Sequence, residues 1–521
     1  MSETARMTKA AGIVGAATLL SRILGFVRDV IVAWFFGAGL AADAFFVAFR
    51  IPNLLRRLFA EGSLTISFIP VFTEHLSRNG RQDAFALARC ACWLLSLALA
   101  AVAVAGILLS PLIVKVIAPG FFSCPEKFEL TVLLTQIMFP YIFFIGLVAL
   151  CMGILNALGH FTAPALAPVL LNLAMISAVL LVSPHLEKPA VGLAIGVVAG
   201  GVLQLGLQIP FLVRRGFHLA VRGPLYHPAI KRIGGLMTPA VFGAAVYQIN
   251  IVVGTLLASL LPEGSVSYLY YADRIVQFPL GVFGIALATA VLPTLSRQAA
   301  VEDMEGFRSS FAYALKLVFF ITIPAMTGLI VLKEPIVRLL FQRGAFDPAT
   351  TRFTAEALLY YAVGLWAFSS VRIVVSTFYA LQDTKTPVKI AIFSLLMNIG
   401  LSILLMGPMR HGGLALATSL ASVTNLILLL RALKKRLGRI GARDILGSLF
   451  RSTASAAVMG GAIGVVALWG APKYAGCTWH LVVWLAGSVV AGSLLYGACA
   501  FVFRSRELLA MVDTVRRNLR K

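Results

Sequence analysis

Apolar runs of roughly 18 or more residues recur along the whole chain, separated by short polar or basic links. Each run can cross a hydrocarbon core of about 30 Å as a helix. The pattern predicts about fourteen spans: 10–36, 41–72, 85–117, 128–158, 164–183, 189–213, 231–260, 266–296, 308–332, 354–381, 386–407, 412–432, 446–470 and 480–503. The short alternating segments that a membrane barrel needs do not occur. Backbone in lipid must satisfy its own hydrogen bonds, which leaves helices. The expected class is therefore an all-α polytopic membrane protein. Arg6 and Lys9 ahead of the apolar stretch 10–20 resemble the start of a signal peptide. Arg22, Arg28 and Asp29 then interrupt the stretch, which runs on to Phe36, so the segment is read as the first span.

Composition sharpens this picture. Of 521 residues, 60% are hydrophobic and 12% charged, against about 25% charged in soluble proteins. A net charge of +23 could suggest nucleic acid, but its placement excludes that partner. The basic residues gather in the links around 214–232 (Arg214, Arg215, Arg222, Lys231, Arg232) and 431–443, and in the tail. All three fall on one side of the predicted topology, and the links on the other side are poor in Lys and Arg. By the positive-inside rule both termini are expected in the cytoplasm. The link 333–353 breaks the pattern with Lys333, Arg338, Arg343 and Arg352, and reads as an amphipathic interfacial segment. The six cysteines form neither a metal-ligand spacing nor a disulfide framework.

The chain also repeats itself. Residues 110–122 (SPLIVKVIAPGFF) align with 334–346 (EPIVRLLFQRGAF) at an offset of 224, and Arg50-Ile51 aligns with Arg274-Ile275 at the same offset. The 162–164 and 385–387 segments and the 192–196 and 413–417 segments follow at offsets of 223 and 221. The offset covers an even number of spans, so the copies share one orientation and are related by an axis along the membrane normal. The expected organisation is a six-helix lobe over 1–218, a second over 231–440, two added helices over 446–503, and a basic tail over 504–521.

Charges then appear where lipid should be. The first two spans hold Arg22, Arg28, Asp29, Asp43, Arg50, Arg56, Arg57 and Glu61, and the eighth holds Asp273 and Arg274. One basic residue at a helix centre costs about 2.5–3.5 kcal/mol on insertion scales, so these side chains should face a wet cavity or protein partners. Asp43, Arg50 and Arg57 are seven apart and share a helical face; Pro52 makes that stripe approximate beyond it. Arg28 with Asp29 also reads as a structural pair, and Arg56, Arg57 and Glu61 as snorkelling side chains near an interface. Arg372, within the tenth span, is open to a structural role. Six arginines against four acids leave a positive surplus that suits an anion, and the planar guanidinium fork suits phosphate. The seven histidines lie near span ends or links, and there is no phosphate loop, Glu-x-x-His motif or nucleophile beside a base. A membrane enzyme is disfavoured.

Several of these motifs carry a family resemblance. Residues 21–29 (SRILGFVRD), 42–62 (ADAFFVAFRIPNLLRRLFAEG), 139–141 (FPY), 270–274 (YYADR) and 382–387 (QDTKTP) resemble the MurJ (MviN) lipid II flippases of the multidrug/oligosaccharidyl-lipid/polysaccharide exporter superfamily. The similarity runs from about residue 8 to 503. It implies fourteen helices, two six-helix lobes and a V-shaped central cavity in the bacterial inner membrane. It implies movement of lipid II, the undecaprenyl-pyrophosphate-linked peptidoglycan precursor, from the cytoplasmic to the periplasmic leaflet by a monomer among membrane lipids. By motif match the essential cavity arginines fall on Arg22, Arg28, Arg56, Arg57 and Arg274, with Asp43 as an essential acid. Arg50 stands where the family sometimes has lysine, and Asp273 joins the set beside Arg274. The last two helices are implied to hold the polyprenyl tail. No prosthetic group is implied; the membrane potential, with sodium or a proton as coupling ion, is the expected driving force, and Asp383 is a candidate metal ligand. An exporter of another polyprenyl-linked glycan, or a drug exporter of the same superfamily, remains the alternative. A cation exporter would need unpaired acids in its cavity rather than surplus arginine.

Overall fold

The computed structural model describes residues 3–57, 64–218, 226–438, 440–470 and 478–509; Glu61 and most of the basic tail lie outside these. Among the described residues there is no strand, as the demand for internally satisfied backbone requires. The chain divides into two compact units, residues 1–267 and 268–521.

The first unit contains α1 (Glu3–Phe36), α2 (Leu40–Leu55), α3 (Leu64–Arg78), α4 (Arg81–Leu108), α5 (Ser110–Ile117), α6 (Pro125–Met138), α7 (Pro140–Ala157), α8 (Thr162–Leu181), α9 (Ala190–Arg214) and α10 (Ala229–Ser259). The division falls within α11 (Ser265–Pro279). The second unit continues with α12 (Ala286–Ala300), α13 (Met304–Val331), α14 (Lys333–Phe341), α15 (Pro348–Val363), α16 (Leu365–Ala380), α17 (Lys385–Leu437), α18 (Ala442–Gly470) and α19 (Thr478–Val502).

Among the described residues, nine helices are long and apolar enough to cross a membrane, or ten if the α15–α16 pair, bent by 42°, is one span. The expected fourteen also includes α1, α2 with α3, α10, and separate crossings by the two arms of α17. The first of these, α1, is long enough but carries Arg22, Arg28 and Asp29. α17, at 53 residues, would be about 80 Å long if straight, far more than a bilayer. It breaks at Arg410, whose φ of 47° and ψ of −131° are not helical. A Cβ on Gly413 would run into the Leu405 carbonyl, so the chain turns back on itself there and only glycine fits. The sequence pattern anticipates this break between 407 and 412.

Prolines cut other expected spans. The 85–117 span divides into α4 and α5 at Leu109, because Pro111 starts a new first turn and has no amide to continue the old helix. The 333–353 segment divides into the short helix α14, with Val337 and Phe341 buried, and the first turns of α15, which carries Arg352. α5 and α14, whose sequences align across the repeat, thus take the same local form.

Each unit has its own apolar core. Phe68, Phe72, Leu150, Ile154 and Leu212 pack in the first; Phe307, Phe311, Val374, Leu429 and Leu433 pack in the second. α18 lies so close to α13 that a Cβ on Gly460 would sit 2.5 Å from the Thr327 methyl. Such small-residue contacts drive helix packing in lipid. The Tyr496 hydroxyl of α19 donates to the Phe320 carbonyl at 2.8 Å. Leu97, Val104 and Leu108 on α4, and Val490 and Leu494 on α19, stay exposed. In water such surfaces would be an aggregation liability; in lipid they are ordinary.

Candidate functional site

Two of the expected arginines share one recess in the first unit. Arg50, Asn53 and Leu54 of α2, with Arg57 just beyond it, face Gln248, Ile251, Val252 and Thr255 of α10. Ile51 and Ile117 complete the walls, and the space measures about 360 Å³ including its open mouth. Arg50 donates to the Thr255 hydroxyl, which itself donates to the Ile251 carbonyl at 2.7 Å. Arg56 donates to Asn53 Oδ1 at 3.1 Å. The backbone at Arg56 and Arg57 has π-helical winding, a few residues after Pro52. Arg57 is half-buried and has no partner among the described residues. Guanidinium groups over an isoleucine, leucine and valine wall suit an anion attached to an apolar chain.

Arg28 is elsewhere. It is 9% exposed and sits in the contact between α1 and α8. Its guanidinium donates to Asp29 Oδ1 at 2.7 and 3.1 Å and to Asn172 Oδ1 at 3.0 Å. The Asn172 amide returns to the Ser21 carbonyl at 3.1 Å. This geometry is that of the structural pair the sequence left open, with Asn172 as a third member. Arg22, six residues earlier on α1, is exposed.

Asp43 has a different character from the arginines that share its heptad spacing. It is 1% exposed, and four donors reach its carboxylate. Lys127 Nζ lies at 2.7 Å, the Gly264 amide at 2.8 Å, and the Ser267 amide and hydroxyl at 2.9 and 2.6 Å. A carboxylate so filled has little capacity left for a ligand. Lys127 is also buried, with its ammonium 4.2 Å from the centre of the Phe121 ring. Ser267 is the residue that the 224-residue offset places opposite Asp43. This joint ties the start of α2 to the start of α11.

In the second unit Arg274 donates to the Tyr270 hydroxyl at 3.0 Å and lies over the Tyr270 ring at 4.8 Å. Asp273 accepts from the Gln277 amide at 3.4 Å. Both are half-buried on α11, which passes through Pro279 into a π-helical turn over Leu280–Ile285. Arg372 is exposed. Asp383 precedes α17 and accepts from the Thr386 amide at 3.0 Å, the Thr386 hydroxyl at 2.8 Å and Arg436 at 2.8 Å. The Thr386 amide bond, with the Arg436 charge adding to it, holds its carboxyl below the usual carboxylate range. Asp383 thus holds the first turn of α17 and pairs with Arg436.

The spacing of charges does not reveal Lys127, Asn172 or Thr255. Lys127 stands in the first turn of α6 between Glu126 and Glu129, where it reads as part of a solvated face. Its partner lies 84 residues away. Asn172 and Thr255 are single polar residues in apolar runs, the one available hint that something buried needs them.

The family model described as lipid II flippase MurJ matches residues 32–505. A Vibrio cholerae serotype O1 protein named "Probable lipid II flippase MurJ" is 43% identical over 436 residues, 82% of this chain and 83% of its own. The solved structure titled "Lipid II flippase MurJ, inward closed conformation" matches with a TM-score of 0.77 and 28% identity, covering 94% of this chain and 98% of its own. An inward-facing MATE family transporter of the MOP superfamily shares the fold at a TM-score of 0.69 and 17% identity, over 83% of this chain and 99% of its own.

Proposed function

The chain belongs to the lipid II flippase MurJ family, and from that membership we propose that it carries lipid II from the cytoplasmic to the periplasmic leaflet of the bacterial inner membrane by alternating access. The proposed site groups are Arg22, Arg50, Arg56, Arg57 and Arg274, which bind the pyrophosphate while the polyprenyl tail stays in lipid along α18 and α19. Arg28, Asp43 and Asp273 are proposed to hold that site together: each sits beside it in sequence and is engaged with other protein groups. The observation that carries the reading is the recess where Arg50 and Arg57 stand over an apolar wall. The membrane potential is the proposed driving force, since an inside-negative potential favours outward movement of an anion by about 2.3 kcal/mol per charge per 100 mV. Sodium or a proton is the proposed coupling ion, and a monomer the proposed working unit, with a lobe over 1–218, a second over 231–440 and the helices of 446–503 added.

Depleting the protein in growing cells tests the assignment. Lipid II is expected to accumulate in the inner leaflet while its synthesis continues. Accumulation of a different polyprenyl-linked glycan would favour that alternative cargo.

The orientation follows from the basic links. Both termini and the links around 214–232 and 431–443 are expected in the cytoplasm. A single cysteine at position 224, in an otherwise cysteine-free variant, should resist impermeant thiol reagents in intact cells. Labelling from outside would reverse the topology.

A further inference from the structure

Away from the arginines, the first unit gathers two histidines and an aspartate from three separate places in the chain. His75 lies near the end of α3, Asp83 in the first turn of α4, and His227 two residues before α10. We propose that His75, Asp83 and His227 form a site for a divalent transition-metal ion of the zinc class, which clips the start of α10 to the α3–α4 turn. The inference is independent of the transported substrate.

The distances support it. His75 Nδ1 is 2.5 Å from Asp83 Oδ2, and His227 Nε2 is 3.3 Å from Asp83 Oδ1. One donor atom from each of the three lies within 4.8 Å of the others. Bonds of about 2.0–2.1 Å in a tetrahedral zinc site put neighbouring donor atoms about 3.3 Å apart. Closing on an ion therefore needs shifts of about an ångström, within the reach of side-chain rotation. Two imidazoles and one carboxylate match zinc and its neighbours, whereas calcium and magnesium take oxygen ligands. Three protein ligands leave a fourth position for water.

Outer support is present too. Asn79 donates to Asp83 Oδ2 at 3.0 Å, holding the carboxylate oxygen that faces His75. His227 Nδ1 now accepts from the Ala229 amide at 3.3 Å. With Nε2 on a metal, Nδ1 would carry the proton and that long contact would be given up. The Ala229 amide opens α10 and needs no partner within the helix. The Arg232 to Glu74 ion pair, at 2.8 Å, ties α10 to α3 beside the cluster, and Glu74 offsets the surrounding positive charge.

The test uses the purified full-length chain with any affinity tag removed, stripped with a chelator and titrated with Zn²⁺ and, separately, Co²⁺. About one equivalent of Zn²⁺ should bind, and Co²⁺ should give the visible bands of a four-coordinate site. Zn²⁺ should raise the thermal unfolding midpoint. His227→Ala and His75→Gln should each weaken binding at least about a hundredfold, beyond the 10–100-fold typical of losing an outer-shell partner. His160→Ala, whose ring instead stacks on Phe211, should bind as the parent does. Should His227→Ala fail to fold, His75→Gln gives the same answer, because that change is smaller and more exposed. No binding by the parent chain, or equal binding by the His75→Gln/His227→Ala double variant, would overturn the site and leave a hydrogen-bonded joint.

Discussion

Asp43→Ala is expected to lower the stability of the purified protein by about 3–5 kcal/mol, the cost of breaking a buried ion pair from one side. The substitution strips Lys127 of its only carboxylate partner among the described residues, and Lys127 is 6% exposed. The ammonium keeps its place near the Phe121 ring, which recovers part of the loss. The Gly264 amide and the Ser267 amide and hydroxyl lose their acceptor as well. Lys127→Met should cost less, because three neutral donors still serve the carboxylate. Asp43→Leu with Lys127→Met removes both charges but still leaves the Gly264 amide and the Ser267 amide and hydroxyl without their acceptor. Thermal unfolding in detergent should place Asp43→Ala lowest, with the double variant above it because no buried ammonium is left unpaired. A parent-like unfolding midpoint for Asp43→Ala, together with lost substrate binding, would return Asp43 to the ligand.

That experiment addresses the residue on which sequence and structure differ most. Asp43, Arg50 and Arg57 share a heptad spacing, and from the chain alone they form one stripe with one role. The helical period places Asp43 and Arg50 on related faces, but a face alone does not say what packs there. Lys127 and Ser267 arrive at Asp43 from elements 84 and 224 residues along, whereas α10 leaves an open recess beside Arg50 and Arg57. The π-helical winding at Arg56 and Arg57 shifts the phase of the stripe further. Helices themselves are legible because long apolar runs have a single backbone solution in lipid. Their breaks are legible only in part. Pro111 ends α4 as its chemistry requires, and Arg410 breaks α17 where the apolar pattern lapses. Arg28 and Asp29 are adjacent, so their pairing was readable; the contribution of Asn172 depends on how α1 lies on α8. The 224-residue repeat was readable as well, yet only the structure brings its equivalent positions, Asp43 and Ser267, into contact.

Arg57→Ala should weaken binding of the lipid pyrophosphate ten- to a hundredfold and leave the unfolding midpoint unchanged. A charge-assisted hydrogen bond contributes about 1.5–3 kcal/mol, and each 1.4 kcal/mol is a factor of ten in affinity. Arg57 is the clean choice because no described residue pairs with it. Arg50→Ala would remove the bond to Thr255 at the same time, mixing packing with binding. Arg28→Ala is the contrasting case. It leaves Asp29 buried without its cation, so it should lower the unfolding midpoint whatever it does to binding. Arg57→Lys should recover part of the affinity, since a point charge cannot reproduce the two-pronged geometry of the guanidinium. Soluble pyrophosphate should compete weakly, because it brings the charge without the polyprenyl tail. The measurement is a direct titration in nanodiscs, with unfolding followed on the same preparations. Parent-like affinity in Arg57→Ala would remove this recess from the binding site. Tight binding of cationic drugs, with no affinity for the lipid pyrophosphate, would favour a drug exporter of the same superfamily.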